Sequence, residues 1–208
     1  LGLATDKSAW QILTANGINI KDLAKDFGIN VNKLDATFIK NTADLATRLN
    51  VNSLDLLTRL NVNFADLAKS FNIDVNNLNN GTLGKLDKLA DQLRVSSVDL
   101  AAKLGVNIDK LGDLMANKLA ALPNIPADIK ANLAPHLQDI RNAADPATLQ
   151  RELKELQAYV NTLPPGIRAQ LNGQLNGILG YTGDTKTNTN DTKNETMALR
   201  NVSSRITD

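Results

Sequence analysis

Apolar positions recur along the first half of the chain with a fixed step of eleven. From Ile12 to Lys110 the sequence stacks without insertion into about nine units. The clearest copies read LATRLNVNSLD, LLTRLNVNFAD and LAAKLGVNIDK. The consensus is Leu-Ala-x-x-Leu/Phe, then Gly/Asn, Val/Ile and Asn, two variable positions, and Asp or Lys. Two units are degenerate. Leu34–Asp44 has Ile39 in the Gly/Asn slot, and Leu78–Lys88 carries Asn79-Asn80-Gly81.

Each unit reads as one short helix with both ends specified. In the stretch from Val51 to Val62, Asn52 is an N-cap whose side-chain oxygen accepts from first-turn amides. Asp55 falls at N3, where a carboxylate reaches back to the cap amide and meets the positive end of the helix dipole. Val51 and Leu56 form the N′–N4 staple. Asn61 takes the position after the helix, where left-handed backbone is required and Gly or Asn tolerates it. Val62 then folds back on Leu57. Asn63 and Asp66 repeat the start signal, while Gly28 and Gly105, with Gly17, Asn50 and Asn72, repeat the stop. An eleven-residue period also suits one long right-handed coiled-coil helix. That reading loads the helix with Gly or Asn, a β-branched residue and Asn in every period, all poor formers. The pattern therefore predicts an all-α fold. Helices of seven to nine residues, too short to stand alone, stack into an α-solenoid of about nine single-helix repeats.

After Lys110 the period fades. Leu111–Leu122 reads as a closing helix, and Pro123 and Pro126 mark a boundary. Ile129, Leu133, Leu137 and Ile140 then fall on one helical stripe, with Pro135 as a kink. Asp145 caps a helix that has Pro146 at its first position and a Leu149, Leu153, Leu156, Val160, Leu163 seam. Ile167, Leu171, Leu175 and Ile178 form a last stripe. These observations divide the chain into repeats over 1–121, a C-terminal helical cap or bundle over 122–180, and an extended polar tail over 181–208. Met197, Leu199, Val202 and Ile206 of the tail are spaced to dock on the body or on a neighbouring copy.

Composition narrows the chemistry. The 208 residues include 33 Leu and 26 Asn but only 4 Phe, 2 Tyr and 1 Trp, so the core is aliphatic, as suits helices. Residues 1–121 hold 13 Asp and no Glu, which fits a chain of many helix starts. With no Cys and a single His, His136, neither thiolate catalysis nor a multi-His or Cys metal site can be assembled. Glu152 and Glu155 share a helix face with Arg151 and Lys154 and read as a solvated surface. The Asn/Asp ladder has the spacing of caps, not of a calcium loop. Trp10 precedes the first clear repeat and reads as a plug for the end of the core. No cofactor, metal or catalytic residue is expected, and no apolar run reaches the length of a membrane span.

Two segments, LAKDFGINVNKL (Leu23–Leu34) and LAAKLGVNIDKL (Leu100–Leu111), resemble the turn region of DNA-binding helix-turn-helix motifs. The resemblance implies a nucleic-acid reader. A net charge of +1 argues against one, because phosphate neutralisation needs a Lys/Arg excess. Asn190, Asn194 and Asn201 in the tail, together with Asn80, stand in Asn-x-Ser/Thr sequons and are candidate glycosylation sites. The chain opens on Leu1, which implies a removed leader or a trimmed start, and it shows no signal-peptide n- or h-region. The expectation is a non-enzymatic structural or protein-interaction protein. It is extracellular or on a cell surface, although lack of Cys also suits the cytosol, and it self-associates through its ends and tail. A carrier of an apolar ligand or lipid is the second reading, and a helix-turn-helix-like nucleic-acid binder the third.

Overall fold

The computed structural model describes residues 6–179, and all the regular structure among them is helical. The helices are α1 (Asp6–Ala15), α2 (Ile20–Asp26), α3 (Ala36–Leu49), α4 (Ser53–Arg59), α5 (Phe64–Ser70), α6 (Asn80–Leu93), α7 (Ser97–Leu104), α8 (Ile108–Ala120), α9 (Ala127–Asn142), α10 (Pro146–Val160) and α11 (Pro165–Leu179). The expected tail, with Asn190, Asn194 and Asn201, lies outside the described residues.

Helix starts are set by side-chain acceptors. Asn19 accepts from the Lys21 amide at 2.9 Å, Asn52 from Leu54 at 2.8 Å and Asn63 from Ala65 at 2.9 Å. Ser96 accepts from Asp99 and Asn107 from Lys110, at 3.0 and 3.1 Å. Each satisfies a donor that the first turn leaves unpaired. Helix ends are set by backbone handedness. Positive φ occurs at Gly17, Gly28, Asn50, Asn61, Asn72, Arg94 and Gly105. At six of these ends the following Ile or Val amide reaches back five residues, as in Val62 to the Leu57 carbonyl at 3.1 Å and Val106 to Ala101 at 2.9 Å. The left-handed slots keep the eleven-residue step and skip 39 and 83.

The expectation of one short helix in every unit fails at those two positions. Ile39 and Leu83 are fully buried, and neither side chain tolerates left-handed backbone. The chain stays helical through them, giving α3 and α6 of 14 residues each. Both long helices also start late. Asn30 and Asp74 stand where an N-cap is due and accept from the amide two residues on, at 3.0 Å, as the caps Asn19, Asn52 and Asn63 do. The backbone then closes a turn, with the Lys33 amide donating to the Asn30 carbonyl at 3.0 Å and the Asn77 amide to that of Asp74 at 3.3 Å. The chain turns there and begins its helix only after Asp35 and Asn79, which accept from Phe38 and Thr82. The difference is local. Asp22, Asp55, Asp66, Asp99 and Asp109 put a carboxylate in the first turn of α2, α4, α5, α7 and α8. The aborted starts carry Asn32-Lys33 and Asn76-Asn77 instead. These two starts lack the favourable dipole interaction that a first-turn carboxylate gives those five helices.

The chain divides into two compact units. One comprises residues 6–70 with Gln92–Arg94. There α3 packs on α4, and Leu13, Ile29, Phe38, Leu45, Leu49, Leu56, Leu57 and Leu67 are buried. The other comprises Phe71–Asp91 and 95–179. In it α8 packs on α9, α10 lies against α9 and α11, and α7 meets α8, α10 and α11. The expected boundary after residue 121 does not coincide with this division, because helices on both sides of Pro123 share a core. The C-terminal stripes are buried at most of their positions: Ile129, Leu133, Leu137 and Ile140 on α9, Leu149, Leu153, Leu156 and Val160 on α10, and Leu171, Leu175 and Ile178 on α11, whereas Leu163, past the end of α10, and Ile167 are half-buried. Pro135 lies inside a continuous α9, and Asp145 caps α10 through the Thr148 amide at 2.8 Å.

One glycine is required by packing, not by backbone conformation. A Cβ on Gly112 of α8 would lie 2.6 Å from the Ile140 carbonyl oxygen of α9, with Leu149 behind it. Gly112→Ala is therefore expected to lower stability by about 2 kcal/mol in urea denaturation, the range for overpacked interiors. At Asn61, φ is 59°. Asn61→Ala is expected to cost about 1 kcal/mol, while Asn61→Gly leaves stability equal or higher. Equal losses in both variants would show that the Asn side chain, not its backbone tolerance, matters there.

Candidate interaction surface

The residues singled out by sequence are dispersed along the chain rather than gathered. Asn52 and Asn63 cap α4 and α5, and Asp55 and Asp66 sit in the first turns that follow. Asp55 makes no side-chain hydrogen bond to the Asn52 amide among the described residues, so it acts through the helix dipole. Gly28, Asn61 and Gly105 are left-handed at helix ends. Asn80 is the exposed first residue of α6, but Thr82 of its sequon is buried and its hydroxyl donates to the Asn77 carbonyl at 3.2 Å. His136 stacks on Tyr159 with ring centroids 5.2 Å apart, and Glu152 pairs with Arg151 at 2.9 Å. That pairing raises the Arg151 pKa. Among the described residues no three acidic or imidazole side chains converge as a metal site would require, and no helix is long and apolar enough to cross a membrane.

The two segments that resemble helix-turn-helix elements part ways. Leu100–Leu111 covers the last five residues of α7, a three-residue turn and the start of α8, which is the expected arrangement. Yet the exposed residues of α8 include Asp109 and Asp113 beside Lys110 and Asn117, a mixed face that does not suit a phosphate backbone. In Leu23–Leu34 the second helix does not start before residue 36. The Ile167–Ile178 stripe considered for an apolar guest packs instead on α10 and α7, with Leu171, Leu175 and Ile178 buried.

A surface concavity occurs in the first unit. It is an open groove of about 680 Å³ between α2, the connection after it and the end of α4. Lys21 and Lys25 line one wall, Leu60 and Asn61 the other, and Val31 lies in it at 42% exposure, the most exposed large apolar side chain among the described residues. The Gly28 carbonyl at its edge is held by Asn41 Nδ2 at 3.1 Å. Nearby polar groups are fixed by aromatic and charge contacts. The Arg59 guanidinium lies 4.4 Å from the Trp10 ring centroid and Arg48 lies 5.0 Å from that of Phe27. Trp10 is buried.

Two polar clusters were not anticipated. In the first unit, Arg94 reaches the Asp44 carboxylate at 2.9 Å, the Thr47 hydroxyl at 2.6 Å and the Ala43 carbonyl at 3.2 Å. Lys40 donates to the same carboxylate at 3.1 Å, and these hydrogen bonds, that from Lys40 foremost, hold Asp44 below the ordinary carboxylate pKa. The available signal was Arg94 itself, a cation in a slot that otherwise holds Gly or Asn. In the second unit, Asp87 on α6 accepts from Ser97 at 2.6 Å and faces Lys118 on α8 at 3.6 Å. Ser97 also approaches the Gly177 carbonyl of α11 at 3.5 Å, and neighbouring Ser96 accepts from Gln150 of α10. Burial pushes the Asp87 carboxyl above its usual range, against the opposing pull of Ser97 and Lys118.

The chain matches no protein-family profile, no curated protein and no solved structure.

The raised carboxyl sets a pH dependence. The folded state binds the Asp87 proton more readily than the unfolded chain, so the charged form subtracts stability at neutral pH. That loss is recovered as pH falls through the folded pKa towards the unfolded value near 3.8. Asp87→Asn is therefore expected to melt above the parent at pH 7, with the gap narrowing as pH falls towards about 4. A gap of opposite sign at pH 7, or one independent of pH, would contradict burial as the dominant influence.

Proposed function

We propose that this protein is a non-enzymatic helical repeat protein that serves as a structural or interaction scaffold. One observation carries the reading: polar residues in the repeat region are largely committed to starting and stopping helices at an eleven-residue step. Asn and Asp side chains that cap helices are not free for chemistry. What the pattern builds instead is a series of equivalent turns and exposed faces, the resource of solenoid proteins. We read the repeats as a solenoid, and the tail, with its sequons at Asn190, Asn194 and Asn201, as a glycosylated appendage of an extracellular or surface protein. Exposed Val31 in the groove and the apolar spacing of Met197, Leu199, Val202 and Ile206 support self-association through body and tail.

Size-exclusion chromatography with light scattering tests this. Full-length protein is expected to form assemblies at high concentration, and a chain ending at Gly180 to remain monomeric. Two monomeric profiles, or two identical assemblies, would remove the tail from the account.

A further inference from the structure

We infer that residues 20–63 and 64–107 are two consecutive copies of a single 44-residue module, so that the repeating unit of sequence and helix pattern is four elevens rather than one. The inference goes beyond the scaffold reading and does not depend on self-association.

Three independent correspondences carry it. First, the elements coincide after a shift of 44: α2 with α5 at 7 residues each, α3 with α6 at 14 each, and α4 with α7 at 7 and 8. Left-handed residues pair the same way, Gly28 with Asn72, Asn50 with Arg94 and Asn61 with Gly105. Second, the irregular parts coincide. At Asn30 and Asp74 the usual cap bond is made but no helix follows; instead the backbone turns alike, Lys33 N to Asn30 O at 3.0 Å and Asn77 N to Asp74 O at 3.3 Å. From the long helix, Asn41 ties the Gly28 carbonyl and the aligned Lys85 ties the Asn72 carbonyl, at 3.1 and 3.2 Å, with different side chains. Third, 19 of the 44 aligned residues are identical. Buried matches include Ala24 with Ala68, Ile29 with Ile73, Leu49 with Leu93 and Leu56 with Leu100.

A shift of eleven does not produce this agreement, because it sets a long helix against a short one. Within each module the first eleven closes normally, the second aborts its start, the third is entered without a stop, and the fourth is again complete. Among the positions that differ, two carry a separate tertiary contact in the second copy: Ala43 stands opposite Asp87, and Asn50 opposite Arg94.

The test inserts sequence between Asn63 and Phe64 of the full chain. A second copy of 20–63 adds one module, whereas a second copy of 31–63 adds three elevens. Circular dichroism and thermal melting are read on both. The module insertion is expected to keep one cooperative transition within a few degrees of the parent and to gain helix per molecule. The three-eleven insertion is expected to broaden or lose it. Equal tolerance of both, or better tolerance of the shorter, overturns the inference in favour of an eleven-residue unit. Should neither fold, a chimera of unchanged length with 71–79 in place of 27–35 decides. A cooperative melt near the parent's supports equivalence of the copies, and loss of the transition refutes it.

Discussion

Backbone handedness at the residue after each helix is the constraint on which the repeat region depends. A right-handed helix can be closed by one left-handed residue, and an L side chain with a Cβ resists that conformation unless it is small and polar. Gly17, Gly28, Asn50, Asn61, Asn72 and Gly105 meet the requirement directly. Arg94 adopts the same backbone with a long side chain, and its guanidinium is engaged by Asp44, Thr47 and the Ala43 carbonyl. Ile39 and Leu83 do not adopt it, and the helix runs on. Helix length throughout this stretch thus follows from which of two side-chain classes occupies one slot in eleven.

A second, weaker choice operates at helix starts. Asn and Asp can either cap a helix or close a turn on their own backbone, and the two geometries differ by little free energy. A carboxylate in the first turn favours the cap, through the helix dipole, by a few tenths to about 1 kcal/mol. The aborted starts at Asn30 and Asp74 lack that carboxylate. The competition is small at each site, yet it places every long connection in the repeat region. It also draws most Asn and Asp there into local roles.

The second unit adds constraints that local punctuation cannot supply. Gly112 lets α8 approach the Ile140 carbonyl, and Asp87 is enclosed between Ser97 and Lys118. A buried carboxylate stabilises little by itself, because desolvation offsets its attractions. It does discriminate among packings, since only an arrangement that supplies both Ser97 and Lys118 satisfies it.

The sequence by itself determined the all-helical class, the step of eleven, the stop residues, the caps at Asn52 and Asn63, and most of the buried stripes of α9, α10 and α11. These are decided within one or two helical turns, by handedness, hydrogen bonds and periodicity, so a linear reading reaches them. The late starts of α3 and α6 coincide with missing first-turn acids, but both helices then start without one, so that signal alone does not place them. Only the tertiary structure decided the division into units, the groove at Val31, the Arg94 and Asp87 clusters and the demand for Gly112. Each joins residues that lie ten to eighty positions apart in the chain, and no periodicity specifies which distant helix face a side chain will meet.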